Sequence, residues 1–188
     1  INRQSELAVM QIRPYRPQSD RAIQWIAYGS NPFNTLVPFF PNVKSTPKYL
    51  EDTTTRVTSE NFYWENRIIA ALCDSSFADT ANAVERYQEK TGAMGHRMVA
   101  AADEQIDRLC EDSDFDAELD ADDEGADVQP MEPDEIIEAV RNDDAREILA
   151  AANENMAAQL KEETDKLLDS VLYTASMNMK NGFHMSDF

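Results

Sequence analysis

AIQWIAYGSNPFNTLVPFFPNVKSTP, residues 22–47, joins an apolar run of strand character to a segment rich in proline and phenylalanine. Within Ala22 to Tyr28, Ile23, Trp25 and Ala27 alternate with Gln24, Ile26 and Tyr28. Bulky groups therefore fall on both faces of a strand, and both faces need cover. Gly29-Ser30-Asn31-Pro32 ends the strand, and Pro38, Pro41 and Pro47 keep the following segment out of helix. Leu36, Val37, Phe39 and Phe40 are too apolar to be left in water, so residues 36–40 are expected to form an ordered irregular loop packed over a core or an interface.

Upstream, Ser5 to Arg13 (SELAVMQIR) is apolar at most positions but too short for an independent helix, and reads as a strand buried on both faces. Pro14 and Pro17 stop it, since neither donates to a ladder, and the two runs form an antiparallel hairpin. A lone hairpin is marginal in water. The hairpin Ser5–Tyr28 is therefore expected to be an edge of a larger sheet whose other strands are not in this chain, so that the chain alone buries it only by self-association into a homo-oligomer or leaves it poorly covered.

Downstream the period changes to that of helices. Thr58-Ser59-Glu60 offers capping chemistry for a helix through FYWENRIIAALC, with Phe62, Ile69, Leu72 and Cys73 on one stripe, interrupted at Asp74-Ser75-Ser76. A second helix is expected from Asp79 or Thr80 towards Cys110, carrying Val84, Tyr87, Met94, Met98, Ala102, Ile106 and Leu109, with Gly92 and Gly95 weakening its middle. Asp134 to Arg141 reads as a short helical piece. After a cap at Asn142-Asp143-Asp144, a long helix runs from Ala145 to about Met179, with Leu149, Asn153, Met156, Leu160, Thr164, Leu167 and Val171 along one face.

The net charge of −19 over 188 residues argues against nucleic acid or an anionic membrane as partner, because both repel such a surface. Thirteen acidic residues and no Lys or Arg lie between Glu111 and Glu135, and removing their charge leaves −6 on the rest. Self-repulsion with Pro130 and Pro133 predicts a mobile acidic insertion. The expected division is thus 1–110 (hairpin, Pro/Phe loop and helices), 111–133 (acidic insertion) and 134–188 (helical segment and tail). No run reaches the 18 or so apolar residues of a membrane span. Two cysteines are too few for a disulfide-stapled scaffold, which points to a reduced, cytoplasmic home.

Few residues carry chemistry. Asp120, Asp122, Glu124 and Gly125 imitate the first half of a calcium loop, but the twelfth position is Met131 instead of a bidentate Glu, so no metal site is expected. Acidic neighbours Glu111, Asp112 and Asp114 keep Cys110 a thiol, and Cys73 sits on an apolar stripe as a core residue. His96 and His184 lack ligand spacing and read as exposed or helix-capping residues. No cofactor is implied. Arg13, ending an apolar strand beside Pro14, is the one candidate for a substrate cleft, weighed against a plain salt bridge.

Taken as an ordered set, Q-I-R-P at Gln11 to Pro14, I-Q-W-I-A-Y-G at Ile23 to Gly29, L-V-P-F-F at Leu36 to Phe40, S-T-P-K-Y at Ser45 to Tyr49 and N-F-Y-W-E-N-R at Asn61 to Arg67 resemble the C-terminal part of the cysteine-nucleophile dipeptidases, N-terminal-nucleophile (Ntn) hydrolases related to the secernins. The resemblance spans roughly residues 1–110. It implies an α+β chain from a four-layer αββα fold, in which a cysteine at position 1 of the mature enzyme attacks a dipeptide with its own α-amine as base. Ile1 has no nucleophile, and neither Cys73 nor Cys110 has an adjacent free amine, so no catalytic residue is expected in this chain. Its expected partners are an N-terminal, nucleophile-bearing portion of the same enzyme and a dipeptide substrate. The other reading is an independent helical interaction module that binds through the apolar Leu36 to Phe40 segment.

Overall fold

The computed structural model describes residues 5–29, 32–119 and 133–179. Strands β1 (Glu6–Ile12), β2 (Ala22–Tyr28) and β3 (Val37–Phe39) form an antiparallel sheet in the order β1-β2-β3. A 3₁₀ turn (Lys48–Leu50) follows, then helices α1 (Phe62–Ser75), α2 (Phe77–Leu119) and α3 (Pro133–Met177). The α+β class and the hairpin read from the sequence both hold, with Val9 opposite Trp25 and Ile12 opposite Ala22.

Four local expectations are corrected. Residues 37–39 are a strand and not an irregular loop. Pro38 lies opposite Trp25 on the third and outermost strand of this sheet, where its missing N–H interrupts no central ladder. Strand β1 is not buried on either face: all seven residues are exposed, Met10 and Ile12 by more than half. The α1 cap is Asn61, whose side chain accepts from the N–H groups of Tyr63 (3.1 Å) and Trp64 (3.3 Å), while Thr58 supports only the preceding turn at Glu60. Finally, Asn142-Asp143-Asp144 does not break α3, which is continuous through it. Asp143 faces outward to Arg146 one turn later (3.1 Å) and to Lys44 (3.4 Å), and so serves the helix surface instead of capping an end.

Helix α2 also runs through Cys110 to Leu119, past its expected end. Residues 120–132, with the calcium-like positions Asp120, Asp122 and Glu124, lie outside the described residues, as does His184. The break between α1 and α2 falls at Ser76, whose extended φ of −141° leaves the helical region and whose carbonyl accepts from Asp79 and Thr80 in the new helix.

Both expected stripes are observed. Helices α2 and α3 run antiparallel. Met94, Met98, Ala102 and Ile106 of α2 form one cluster with Leu149, Met156 and Leu160 of α3, with Ile23, Ile26, Val37 and Phe39 from the two faces of the sheet, and with Phe40 just after it. A second cluster joins Ile69 and Cys73 of α1 to Val84, Tyr87, Leu167 and Val171. Gly95 has a packing reason that periodicity does not reveal: a Cβ there would lie 2.5 Å from Pro38 Cδ, so its absence lets α2 approach β3. Gly29, at φ +83°, occupies the left-handed region where β2 ends, with Asn66 of α1 against it.

Candidate functional site

The alternation of β2 places Gln24, Ile26 and Tyr28 on one face, beside Phe39 of β3. The chain then turns at Pro41 and passes over this face through Val43 to Pro47, closing a cavity of about 540 Å³ whose far side is Leu50, Glu51 and Asn153. That size suits a small molecule. Asn153 anchors the cavity floor: its amide donates to the Phe40 carbonyl and accepts from the Phe40 N–H, both at 2.9 Å, pinning the end of β3 to α3 as a neighbouring strand would. The rim is charged on both sides, by Lys44, which reaches Asp143 on α3, and by Glu51.

Behind the wall lies a buried polar group. Glu65 of α1 is fully buried, as is most of Tyr49 in the 3₁₀ turn, and the Tyr49 hydroxyl donates to Glu65 Oε2 at 2.5 Å. Lys161 Nζ stands 4.0 Å from the same oxygen and 2.6 Å from Asp165, while Glu65 Oε1 has no hydrogen-bond partner. Burial pushes the Glu65 carboxyl up to about 8, against the pull of the Tyr49 hydrogen bond and the Lys161 charge. Burial, with the Glu65 charge beside it, also holds the Tyr49 phenol well above its ordinary value.

Arg13, the expected cleft residue, is 4% exposed and does not line this cavity. Its guanidinium donates to Asp103 of α2 and to the Asp20 carbonyl, both at 2.6 Å, and Arg16 adds Asp20 (2.7 Å) and Asp107 (2.8 Å). These bonds clamp the β1–β2 connection onto α2. Cys73 is buried in the second cluster, where desolvation pushes its thiol up, and Cys110 packs at the edge of the main core. His96 is exposed, tilted against Trp25 with ring centroids 5.2 Å apart. Among the described residues, no three His, Cys, Asp or Glu side chains converge as metal ligands, and no helix is long and apolar enough to cross a membrane. Sequence reasoning missed Glu65, Tyr49 and Asn153 as site residues. The only signal was Asn153 on a mainly apolar α3 stripe that also carries Thr164, and a Glu in the first turn of α1.

Residues 1–90 match the sequence profile described as Peptidase family C69. Across its whole length the chain is 75% identical to a "Dipeptidase" of Bifidobacterium longum (strain NCC 2705), covering 37% of that protein. The chain belongs to peptidase family C69. A "Probable dipeptidase A" of Streptococcus pyogenes serotype M18 is 37% identical, again over the whole chain and 32% of the relative. A "Dipeptidase A" of Lactobacillus helveticus is 30% identical over 58% of the chain. The family C69 chain thus spans about a third of the length of the curated relatives it matches over its full extent. Within it, the profile covers the sheet, the cavity loop, α1 and the first turns of α2, which supply Glu65, Tyr49 and the cavity lining apart from Asn153, while Asn153, Lys161 and Asp165 come from α3 beyond it.

Proposed function

We propose that this chain is the C-terminal portion of a cysteine-type dipeptidase, in which it walls the substrate cleft and supports the sheet while the nucleophile is supplied by an N-terminal portion. The observation that carries this reading is 75% identity, across the whole chain, to a protein named as a dipeptidase. The proposed chemistry is attack of an N-terminal cysteine sulfur on the scissile carbonyl, with its own α-amine taking the thiol proton and passing it to the departing amine as the C–N bond breaks, followed by hydrolysis of the thioester by water, which restores the thiol. The part assigned to this chain is positional. The 540 Å³ cavity, with Lys44 and Glu51 at its rim, offers opposite charges suited to the two charged ends of a dipeptide. Arg13 enters as a positioning residue that fixes the end of β1 through Asp20 and Asp103, in place of a direct substrate contact. The exposed β1 edge is proposed to pair with the N-terminal portion, and a cytoplasmic homo-oligomer completes the reading.

Purified chain alone is expected to hydrolyse no dipeptide. Turnover that disappears on Cys73→Ala or Cys110→Ala would assign the nucleophile to this chain and overturn the division of labour. An independent interaction module has little left to bind with through residues 36–40, because Val37, Phe39 and Phe40 are buried and only Leu36 is exposed at the surface.

A further inference from the structure

Tyr49 ends the loop that walls the cavity, and its hydroxyl is seated on a carboxyl that no solvent reaches. The groups facing Glu65 come from every element around it: Tyr49 from the 3₁₀ turn, Lys161, Thr164 and Asp165 from α3, Tyr87 from α2, and Glu60, beyond Lys161, from the segment before α1. One cation therefore stands among three carboxyl groups, and it is 2.6 Å from Asp165 but 4.0 Å from Glu65. With Asp165 already holding Lys161, an ionised Glu65 adds a second negative charge facing Asp165 and leaves Oε1 bare in a dry site. Neutral Glu65 avoids both penalties. It still accepts from Tyr49, and its protonated oxygen becomes a donor aimed at an acidic neighbour.

We propose that Glu65 is a proton latch and a positioning residue for the cavity wall: seating Tyr49 against α1 takes up one proton at Glu65, and unseating it releases that proton. In the open form, water reaches the carboxyl and restores ordinary acidity, so the open form gains as pH rises. The inference concerns this chain's own cavity wall and does not depend on what the cavity binds.

Two measurements on the whole chain test it. Carbon-13 titration of the Glu65 carboxyl, assigned by its disappearance in Glu65→Gln, is expected to show a midpoint far above those of the surface glutamates. Amide exchange at Leu50 and Glu51, corrected for intrinsic rates, is expected to lose protection by about tenfold per pH unit from pH ~6 to ~8, and to be pH-independent in Glu65→Gln. Should Glu65→Gln fail to fold, Tyr49→Phe and Lys161→Met take its place. Each removes a group that favours the ionised form, so each is expected to move the Glu65 titration to still higher pH. A Glu65 that titrates with the surface glutamates overturns the latch. So does protection that changes identically in wild type and Glu65→Gln, or a titration unmoved by both replacement variants.

Discussion

Replacing Asn153 by alanine removes two hydrogen bonds at once and strands the groups that made them. The Phe40 N–H and C=O, each at 2.9 Å from the Asn153 amide, are buried, and Phe40 itself is 1% exposed. An unmet buried polar group costs about 1–3 kcal/mol, so two give about 2–6 kcal/mol out of the ~5–15 kcal/mol that holds a typical domain. Asn153 also lines the cavity, so water entering the vacated space recovers part of the loss and places the expectation at about 2–3 kcal/mol. Asn153→Asp sharpens the test. At neutral pH its carboxylate opposes the Phe40 carbonyl and destabilises at least as much as alanine, whereas a protonated Asp reproduces the donor-acceptor pair, so stability returns on acidification. Urea denaturation followed by tryptophan fluorescence at pH 7 and pH 5 measures both. An alanine variant within ~0.5 kcal/mol of wild type, or an aspartate variant with no recovery in acid, would refute the clamp.

Other outcomes follow from the same contacts. Gly95→Ala is expected to destabilise by about 1–3 kcal/mol despite better helix propensity, because of the 2.5 Å approach to Pro38, whereas Gly92→Ala, with open space around it, is expected to stabilise by about 0.5–1 kcal/mol; thermal melts of the pair separate packing from propensity. Because Glu65 binds its proton more tightly folded (about 8) than unfolded (near 4.5), its contribution to stability falls as pH rises through that window, by at most about 1.4 kcal/mol per unit, and levels off above it. Urea denaturation at several pH values is expected to show this slope lost in Glu65→Gln. Arg13→Met leaves Asp20 buried with only Arg16 beside it and is expected to cost about 3–5 kcal/mol, more than Arg13→Met with Asp20→Leu together; equal losses in a denaturation double-mutant cycle would contradict the ion network. Sedimentation of the isolated chain is expected to show self-association through exposed Leu7, Val9, Met10 and Ile12, and a strictly monomeric, cooperatively folded chain would mean that β1 needs no cover.

Period decided what was legible in the sequence. The α2 and α3 stripes from Val84 to Ile106 and from Leu149 to Val171 are buried as read, because two long helices facing one another leave a repeat of 3.6. The hairpin was legible from its prolines and alternation. Strand β3 was not, since three residues containing a proline carry no period, and its pairing with β2 is a tertiary matter. The cover of β1 was misread for a related reason: hydrophobicity states what a strand needs, and the described residues do not supply it. Gly95 read as a weakness in a helix because the atom it makes room for, Pro38 Cδ, is 57 positions away in sequence. At the site, Arg13 was read as a strand-end charge for either a cleft or a salt bridge, and its partners Asp20 and Asp103 lie on other elements, so no local pattern names them. Glu65 and Tyr49, 16 residues apart, are joined only by the fold.

The central claim is that this chain is a working portion of a dipeptidase. It is tested most directly by exchange: the segment of the Bifidobacterium longum dipeptidase that is 75% identical to this chain is replaced by the chain itself, and dipeptide hydrolysis is measured. Turnover by the chimera close to that of the parent, abolished when the parent's nucleophile is removed, is the expected result. A chimera that folds and assembles like the parent but hydrolyses no dipeptide would contradict the claim.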